Sequence, residues 1–389
     1  MKYSLSQFPN SCDITGVLHE IWDNGWFDEY SAQHLLIKAI CDKTIDFRRK
    51  NEIIQSSINM HQNCDNADTF IANISSCLYQ LKQHCSEDVL KKYIKQLAAG
   101  KENYSEEQFF DTLHELQVFR FFCSRMNVTS VEYEPPIGGV SGRKNPEYRI
   151  NASFQLPGKE PGDVIIPQEN YTFDIEVKTV EGRLNKKNNP LITTVTPIIP
   201  IDYNKRDKLE HLCKEYEIQL ELPDVIQLRD FLNDAACKFD SLASNENHFN
   251  FLFLNWTFRE ISERNFIEPL MLLYNEYNGL FRYPELGKKF GLKNEVFEKI
   301  SAIVIYSSPI QGVMFNDTVW ALSNNQYRVL LNSSLNNKQK IQMNHILRAE
   351  TNNSLSKYAL LVYPPNLNYW LIEELFDSID ETIKDIMFK

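Results

Sequence analysis

The segment YTFDIEVKT, residues 171–179, most constrains what this chain can fold into. Its apolar residues share one face of a strand: Tyr171, Phe173, Ile175 and Val177. Its polar residues share the other face: Thr172, Asp174, Glu176 and Lys178. Because side chains alternate across a strand, one face is predicted to pack on a core while the other gathers two carboxylates and an ammonium group.

The Glu-x-Lys spacing at the end of this strand permits two interpretations. Glu176 can hold a hard cation, and Lys178 can hold or activate water beside a phosphate, which is the chemistry of metal-dependent phosphodiester cleavage. The structural alternative is a solvated strand face with an ion pair.

Composition bounds the class of protein. The chain has 389 residues, of which 43% are apolar, enough for two or three domains or one elaborated domain. It contains no glycine-rich phosphate-binding loop, which argues against a nucleotide-hydrolysing motor. The net charge of −11 requires any nucleic-acid surface to be a local basic patch or to be supplied by a partner.

Cysteine and histidine usage predicts a reduced, cytoplasmic protein without zinc. The eight cysteines form no Cys-x-x-Cys pair, and the chain begins without the apolar run of a secretion signal. The longest apolar runs are strand-sized, so no membrane span is expected. The eight histidines show no zinc-binding spacing.

Hydrophobic periodicity divides the chain into three predicted regions: residues 1–104 as a helical N-terminal domain, 105–310 as an α/β core with an insertion at about 180–224, and 311–389 as a C-terminal α/β extension packed on the core. Ser86 and Ser105 are predicted helix N-caps, and Ser105 with Gln108 suggests a capping box.

The core region alternates helix and strand patterns. After the helix that begins at Ser105, strands are predicted at 128–136, at 146–157, briefly from Asp163, and at 171–179. A helix at 225–240 follows. The strand predicted at 248–258 has a near-continuous apolar run and is expected to be buried on both faces, and the strand predicted at 299–309 is expected to be buried as well. Weaker strands and a closing amphipathic helix are predicted beyond them.

Three short motifs give this order a family resemblance. Glu176 and Lys178 lie in IEVK, Pro146 and Glu147 lie in KNPEYRI, and Glu115 lies in LHELQVFRFF. Together they resemble the PD-(D/E)XK nuclease superfamily over roughly residues 105–310. The resemblance implies a restriction-endonuclease-like core, a mixed sheet flanked by helices. Glu147 departs from the usual aspartate and would place a metal ion differently.

The first acid of the motif has two candidates. Glu147 follows the EYEPP segment and the glycine loop, a context typical of the family, and is slightly favoured. Asp163 opens a short strand that would form a hairpin with the IEVK strand and place Asp163 opposite Glu176. Both are retained as site residues.

The resemblance also implies a cofactor and roles for individual residues. Glu115, Glu147 or Asp163, Glu176 and the Val177 carbonyl would hold one or two Mg²⁺ ions, for which Mn²⁺ can substitute. Lys178 would orient or deprotonate the attacking water. Asp174 is interpreted as a salt-bridge residue beside this site. On the second core helix, Gln227, Arg229 and Lys238 are candidates for substrate contact, against the alternative of a solvated helix face.

The predicted nucleic-acid surface directly follows the IEVK strand. Its residues are Arg183, Lys186, Lys187, Tyr203, Lys205 and Arg206, with Lys208 beside them. The basic side chains would contact phosphates, and Tyr203 would stack on a base or sugar. Ordinary solvated charge is the alternative, as it is for the smaller patch at 48–50.

The resulting functional hypothesis is a magnesium-dependent DNA endonuclease, acting as a restriction or phage-defence effector and working as a homo-oligomer or with a partner protein. RNA remains open as substrate. The alternative is a catalytically degenerate nuclease fold that serves as a nucleic-acid-binding or protein-interaction module. A helical scaffold in which the strand charges have no chemical role is a third interpretation.

Overall fold

The computed structural model describes most of the helices and strands expected from the sequence. The residues described are 16–42, 64–100, 103–136, 145–154, 169–179, 194–197, 211, 214, 219–220, 225–242, 246–256, 269, 272–274, 279–306, 327–347 and 361–362. The helices are α1 Gly16–Asp23, α2 Leu35–Asp42, α3 Cys64–His84, α4 Glu87–Leu97, α5 Glu106–Cys123, α6 Val225–Cys237, α7 Pro284–Lys289, α8 Asn294–Lys299 and α9 Asn337–Leu347.

The strands form one large and one small sheet. They are β1 Asn127–Tyr133, β2 Tyr148–Phe154, β3 Glu169–Thr179, β4 Thr194–Pro197, β5 Gln219–Leu220, β6 His248–Asn255, β7 Ala302–Tyr306, β8 Tyr327–Leu331 and β9 Leu361–Val362. The six-stranded sheet has the order β1-β2-β3-β6-β7-β8, and the three-stranded sheet has the order β5-β4-β9. In the large sheet β3, β6 and β7 run parallel and the remaining neighbours are antiparallel, so the predicted mixed sheet is confirmed.

Serine caps begin two helices as predicted. The Ser86 hydroxyl accepts from the backbone N–H of Val89, and the Ser105 hydroxyl accepts from that of Gln108 at 3.3 Å. In a capping box the Ser105 N–H would donate to the side chain of Gln108. Here it donates to the carbonyl of Ala99 instead. This bond ties the start of α5 to the end of α4.

Two hydrophobic clusters cover the two faces of the large sheet. One contains the side chains of α1 to α5 and α9 together with Phe249, Phe251 and Phe253 of β6. The other joins α6, α7 and α8 to Leu252 and Leu254 of the same strand. The alternation along β6 therefore assigns its side chains to two separate cores, as expected for a central strand buried on both faces.

Strand β3 is more deeply buried than its alternation predicts. The apolar face packs in the first cluster. The polar face is also covered, since Asp174 and Glu176 are both 0% exposed. Burial of two carboxylates requires compensating partners, and these partners define the site.

Some predicted elements differ from those observed. The segment 180–224 has little periodicity, yet β4 and β5 lie within it. Helix α9 is not predicted, because its apolar residues are spaced among glutamine and asparagine residues, and some of these, such as Gln339 and Gln342, are themselves buried. The predicted strand from Asp163 and the closing helix lie outside the described residues.

The described helices give no candidate for membrane insertion. Within the ranges given above, none is both long enough and apolar enough to cross a bilayer. Five cysteines of the described part of the chain form no disulfide there: Cys41, Cys77, Cys85, Cys123 and Cys237.

Candidate functional site

Strand register brings Glu147 beside Glu176. Strands β2 and β3 are antiparallel, and Tyr148 is paired with Ile175. Glu147 and Glu176 each lie one residue beyond that pair, so their side chains share the face of the sheet opposite to Tyr148. The backbone also holds Glu147, because its carbonyl accepts the N–H of Glu134 at 2.9 Å.

Glu115 approaches the two sheet acids from α5, which packs on the other face of the sheet, the face of Tyr133 and Tyr148. This helix is buried on almost every side, and Glu115 is only 7% exposed. The hydroxyl of Tyr133, the last residue of β1, donates to Glu115 Oε2 at 3.1 Å. Burial and one hydrogen bond hold Glu115 in place, and its role as a metal ligand stays a prediction.

The three carboxyl groups repel one another electrostatically in a poorly solvated place. Burial, followed by repulsion from Glu176, raises the pKa of Glu147 to about 8. Burial raises the pKa of Glu115 well above its usual range, and the charges of Glu147 and Glu176 add to the effect. Such a cluster favours binding of a cation or a proton.

Two lysines neutralise Glu176. Lys178 Nζ lies 2.8 Å and Lys238 Nζ 2.6 Å from the same oxygen, Glu176 Oε1. Asp234 of α6 joins both lysines, at 3.0 Å from Lys178 and 3.7 Å from Lys238. Two carboxylates and two ammonium groups thus form a four-residue network with no net formal charge.

The network fixes the protonation of Lys178. Burial opposes the charged ammonium, but the Glu176 carboxylate outweighs it and raises the pKa of Lys178 above its ordinary value. Asp234, although partly buried, has its pKa lowered by its hydrogen bond to Lys178. In this arrangement Lys178 is a hydrogen-bond donor and a positive charge, which disfavours the other role expected for it, removal of a proton from water.

Asp174 forms a separate ion-pair group on the same strand face. Arg149 donates to it through two nitrogens, at 2.7 and 2.8 Å, and His248 Nε2 lies 3.0 Å from Asp174 Oδ2. Burial would raise the pKa of Asp174, but these partners lower it. The prediction that Asp174 is a salt-bridge residue is confirmed.

The fit of a divalent cation to these residues is mixed. Glu176 Oε2 is buried and has no hydrogen-bond partner, and Glu115 and Glu147 supply the oxygen ligands that Mg²⁺ prefers. Over the described part of the chain, however, no three His, Cys, Asp or Glu side chains are grouped as they would need to be to hold a metal ion. The oxygen ligands suit a hard cation. However, Lys178 and Lys238 already neutralise Glu176, the carboxylate that such a cation would also bind.

The other predicted site residues either do not join this network or lie outside the described residues. Val177 is buried between Glu176 and Lys178 on β3. Gln227 lies in α6, and Arg229 of the same helix pairs with its neighbour Asp230 rather than with the site. The remaining ones lie outside the described residues: Asp163, Arg183, Lys186, Lys187, Tyr203, Lys205 and Arg206.

Sequence reasoning missed Asp234, and it treated Lys238 mainly as a solvated helix residue. The pair has i, i+4 spacing, and its neighbours Ala235, Ala236 and Phe239 are buried. The side chain of Asp234 is half exposed, so only the buried Lys238, a charged residue among buried apolar neighbours, carried a local signal. Arg149 was missed too, although it lies directly opposite Asp174 in the strand register.

Comparisons with known proteins identify no relative. No protein-family model matches the chain, and neither the curated proteins nor the solved structures contain a match. Function is therefore inferred from the residues and distances given above.

Proposed function

We propose that the protein is a magnesium-dependent nuclease that hydrolyses phosphodiester bonds, with DNA as its substrate, in a restriction or phage-defence role. The observation that carries the proposal is a buried glutamate, Glu176, that binds two lysines and has two further glutamates in its electrostatic environment. Glu115, Glu147 and Glu176 come from three different parts of the fold, and Lys178 and Lys238 both bind Glu176. A buried cluster of this kind, with perturbed pKa values, is more typical of a functional site than of a scaffold.

Each residue has a role that follows from its contacts. Glu115, Glu147 and Glu176 would hold the cation, whose chemistry is to polarise the phosphate and lower the pKa of a bound water. Lys178 and Lys238, as hydrogen-bond donors, would stabilise the negative charge that develops on the phosphate oxygens. Asp234 would keep both ammonium groups in place when Glu176 turns to the cation.

A cleavage assay tests the proposal directly. Supercoiled plasmid, linear duplex, single-stranded DNA and RNA are each incubated with Mg²⁺ or Mn²⁺, with EDTA as the metal-free control. We expect metal-dependent cutting by the native protein and a loss of at least about 100-fold in Lys178→Ala and Glu176→Gln, as is usual when an electrostatic stabiliser is removed. The matched control Lys293→Ala removes an exposed lysine of the same protein.

Metal binding is measured separately by titration calorimetry with Mn²⁺. The native protein should bind, and Glu147→Gln and Glu176→Gln should each weaken binding, because each removes a charged ligand. Cutting that persists unchanged in Lys178→Ala and Glu176→Gln would refute the assignment of the site.

The degenerate fold remains a second candidate, and one observation favours it. Glu176 Oε1 already has two ammonium partners, so this oxygen is satisfied without a metal. In that case the protein would bind nucleic acid or a protein partner without cleaving. Absence of Mn²⁺ binding in calorimetry, together with retained DNA binding, would select this candidate.

A further inference from the structure

Helix α4 presents three lysines on its solvent side. Lys91, Lys92 and Lys95 are all exposed, while Tyr93, Ile94 and Leu97 pack in the core. Lys95 follows the other two at spacings of three and four residues, so the three lysines share one face of the helix. We call this set the α4 lysine face.

These lysines do not pair with the acids of their own helix. Glu87 and Asp88 stand at favourable spacings before them. Among the described residues, Lys92 instead pairs with Glu134, and no ion pair involves Lys91 or Lys95. The chain as a whole is acidic, with a net charge of −11. The α4 lysine face is therefore a local basic patch, in which only Lys92 has an acidic partner among the described residues.

Lys92 connects this face to the carboxylate site by two routes. Its ammonium lies 5.4 Å from the centre of the Tyr133 ring, and the Tyr133 hydroxyl donates to Glu115. Its partner Glu134 donates a backbone hydrogen bond to the carbonyl of Glu147. The α4 lysine face is therefore connected, through Tyr133 and Glu134, to Glu115 and to the backbone of Glu147, from the face of the sheet opposite to the Glu176 side chain.

Glu134 adds an independent observation. It has a φ of 47°, in the left-handed region that non-glycine residues rarely adopt. The Asn145 side chain donates to its carbonyl at 3.1 Å. Backbone strain of this kind is concentrated at functional sites, and here it places a partly exposed carboxylate against Lys92.

We propose that the α4 lysine face binds the phosphate backbone of the nucleic-acid substrate and leads it to the carboxylate site, with Glu134 occupying Lys92 until a phosphate replaces it. The charge of the α4 lysine face indicates what it binds. Three adjacent cations near the proposed cleavage site complement a polyanion such as nucleic acid. The inference rests on the proposed function for its substrate, but its test is a binding measurement that needs no cleavage.

The experiment measures the dissociation constant by fluorescence anisotropy in EDTA, over a series of salt concentrations, with duplex DNA, single-stranded DNA and RNA. The variant is Lys91→Gln/Lys92→Gln/Lys95→Gln. The matched control is Lys288→Gln/Lys289→Gln/Lys293→Gln, which removes the same charge from exposed positions in α7 and directly before α8. Thermal unfolding of both confirms that they fold.

We expect the α4 variant to bind at least about tenfold more weakly and its log–log salt slope to flatten by about 0.9 for each phosphate that the protein no longer neutralises. Glu134→Gln should bind more tightly than the native protein, because it frees Lys92. The nucleic acid whose binding falls most in the α4 variant identifies the backbone that this face accepts.

Equal binding by the α4 variant and its control would overturn the proposal while leaving the nuclease assignment untouched. Failure of the native protein to bind any of the three nucleic acids would overturn it as well. Weakened binding by the α4 variant in a protein that never cleaves would uphold the surface and refute the nuclease.

Discussion

Glu176 accepts two ammonium groups on one carboxylate oxygen, and this sharing makes the two lysines partial substitutes for each other. Either lysine alone still leaves Glu176 with a buried cationic partner. Loss of both leaves a carboxylate that is 0% exposed without compensation. The cost of removing both should therefore exceed the sum of the single costs.

A double-mutant cycle measures this coupling. Lys178→Met and Lys238→Met should each lower the free energy of unfolding by about 1–3 kcal/mol, the cost of a lost charged hydrogen bond. The double variant should lose more than the sum of the two, because only in this variant is the buried Glu176 carboxylate left with no cationic partner. Urea denaturation provides the values, and strictly additive losses would contradict a shared oxygen.

At the residue scale, the sequence predicts three glutamates and Lys178 as site residues, but it does not predict most of the contacts these residues make. Strand alternation and short motifs were sufficient to select Glu115, Glu147, Glu176 and Lys178, because each signal is local. The strand register places Glu147 beside Glu176, but Asp163 lies outside the described residues, so the choice between Glu147 and Asp163 stays a prediction. Asp234 could not be selected, because its role depends on how α6 packs against β3, which no local pattern specifies.

Helix α5 is the element on which the site depends most. It carries Glu115, begins at the Ser105 cap, and has aromatic side chains such as Phe121 and Phe122 in contact with rings of the sheet strands. Since Glu115 lies in the third turn of this helix, fraying of the first turn shortens the rigid support behind it.

Replacement of the cap tests that dependence. Ser105→Ala removes the hydroxyl that accepts from the N–H of Gln108, and it should lower the free energy of unfolding by about 0.5–2 kcal/mol. Ser333→Ala, at an exposed turn before α9, should change it by less than about 0.5 kcal/mol. Chemical denaturation compares the two, and equal losses would show that the cap contributes nothing specific.

The length of an element decides whether sequence periodicity can predict it. Strands β3 and β6 were predicted from alternation and from a continuous apolar run, and both patterns report burial directly. Strands β4 and β5 are four and two residues long. Elements this short carry too few residues for a period to appear, so only tertiary pairing reveals them.

Two buried histidines give the whole molecule a characteristic response to acid. Burial lowers the pKa of His34 to about 3 and that of His114 to about 4. The His34 ring is held as one neutral tautomer, because Nε2 donates to the Leu97 carbonyl and Nδ1 accepts from the N–H of Leu36. Protonation at Nδ1 would direct a proton against that N–H.

The sign of the pH dependence follows from these values. The unfolded state takes up a proton near pH 6.5 and the folded state does not, so the stabilisation is complete above that pH and is lost as the pH falls towards 3. Between about pH 7 and about pH 5, His34 alone should contribute a loss of about 2 kcal/mol. The raised pKa of Glu147 acts in the opposite direction, which makes a variant comparison necessary.

His34→Gln isolates the effect. When the pH falls from about 7 to about 5, the free energy of unfolding of His34→Gln should decrease by about 2 kcal/mol less than that of the native protein. The variant is expected to be less stable than the native protein at pH 7. The comparison uses urea denaturation at both pH values. An unchanged pH difference would mean that His34 titrates normally in the folded protein.

The parallel pairing of β3 with β6 also determines the point in synthesis at which the aggregation-prone edge of β3 is covered. Thr172 pairs with His248 and Thr179 with Asn255, so β3 gains its second neighbour only after residues 248–255 have left the ribosome. Until then the nascent chain exposes an unpaired strand edge beside Phe173, which is the kind of surface that self-associates. Translation that stalls in this interval should yield insoluble chains, and a chaperone would be needed most during those residues.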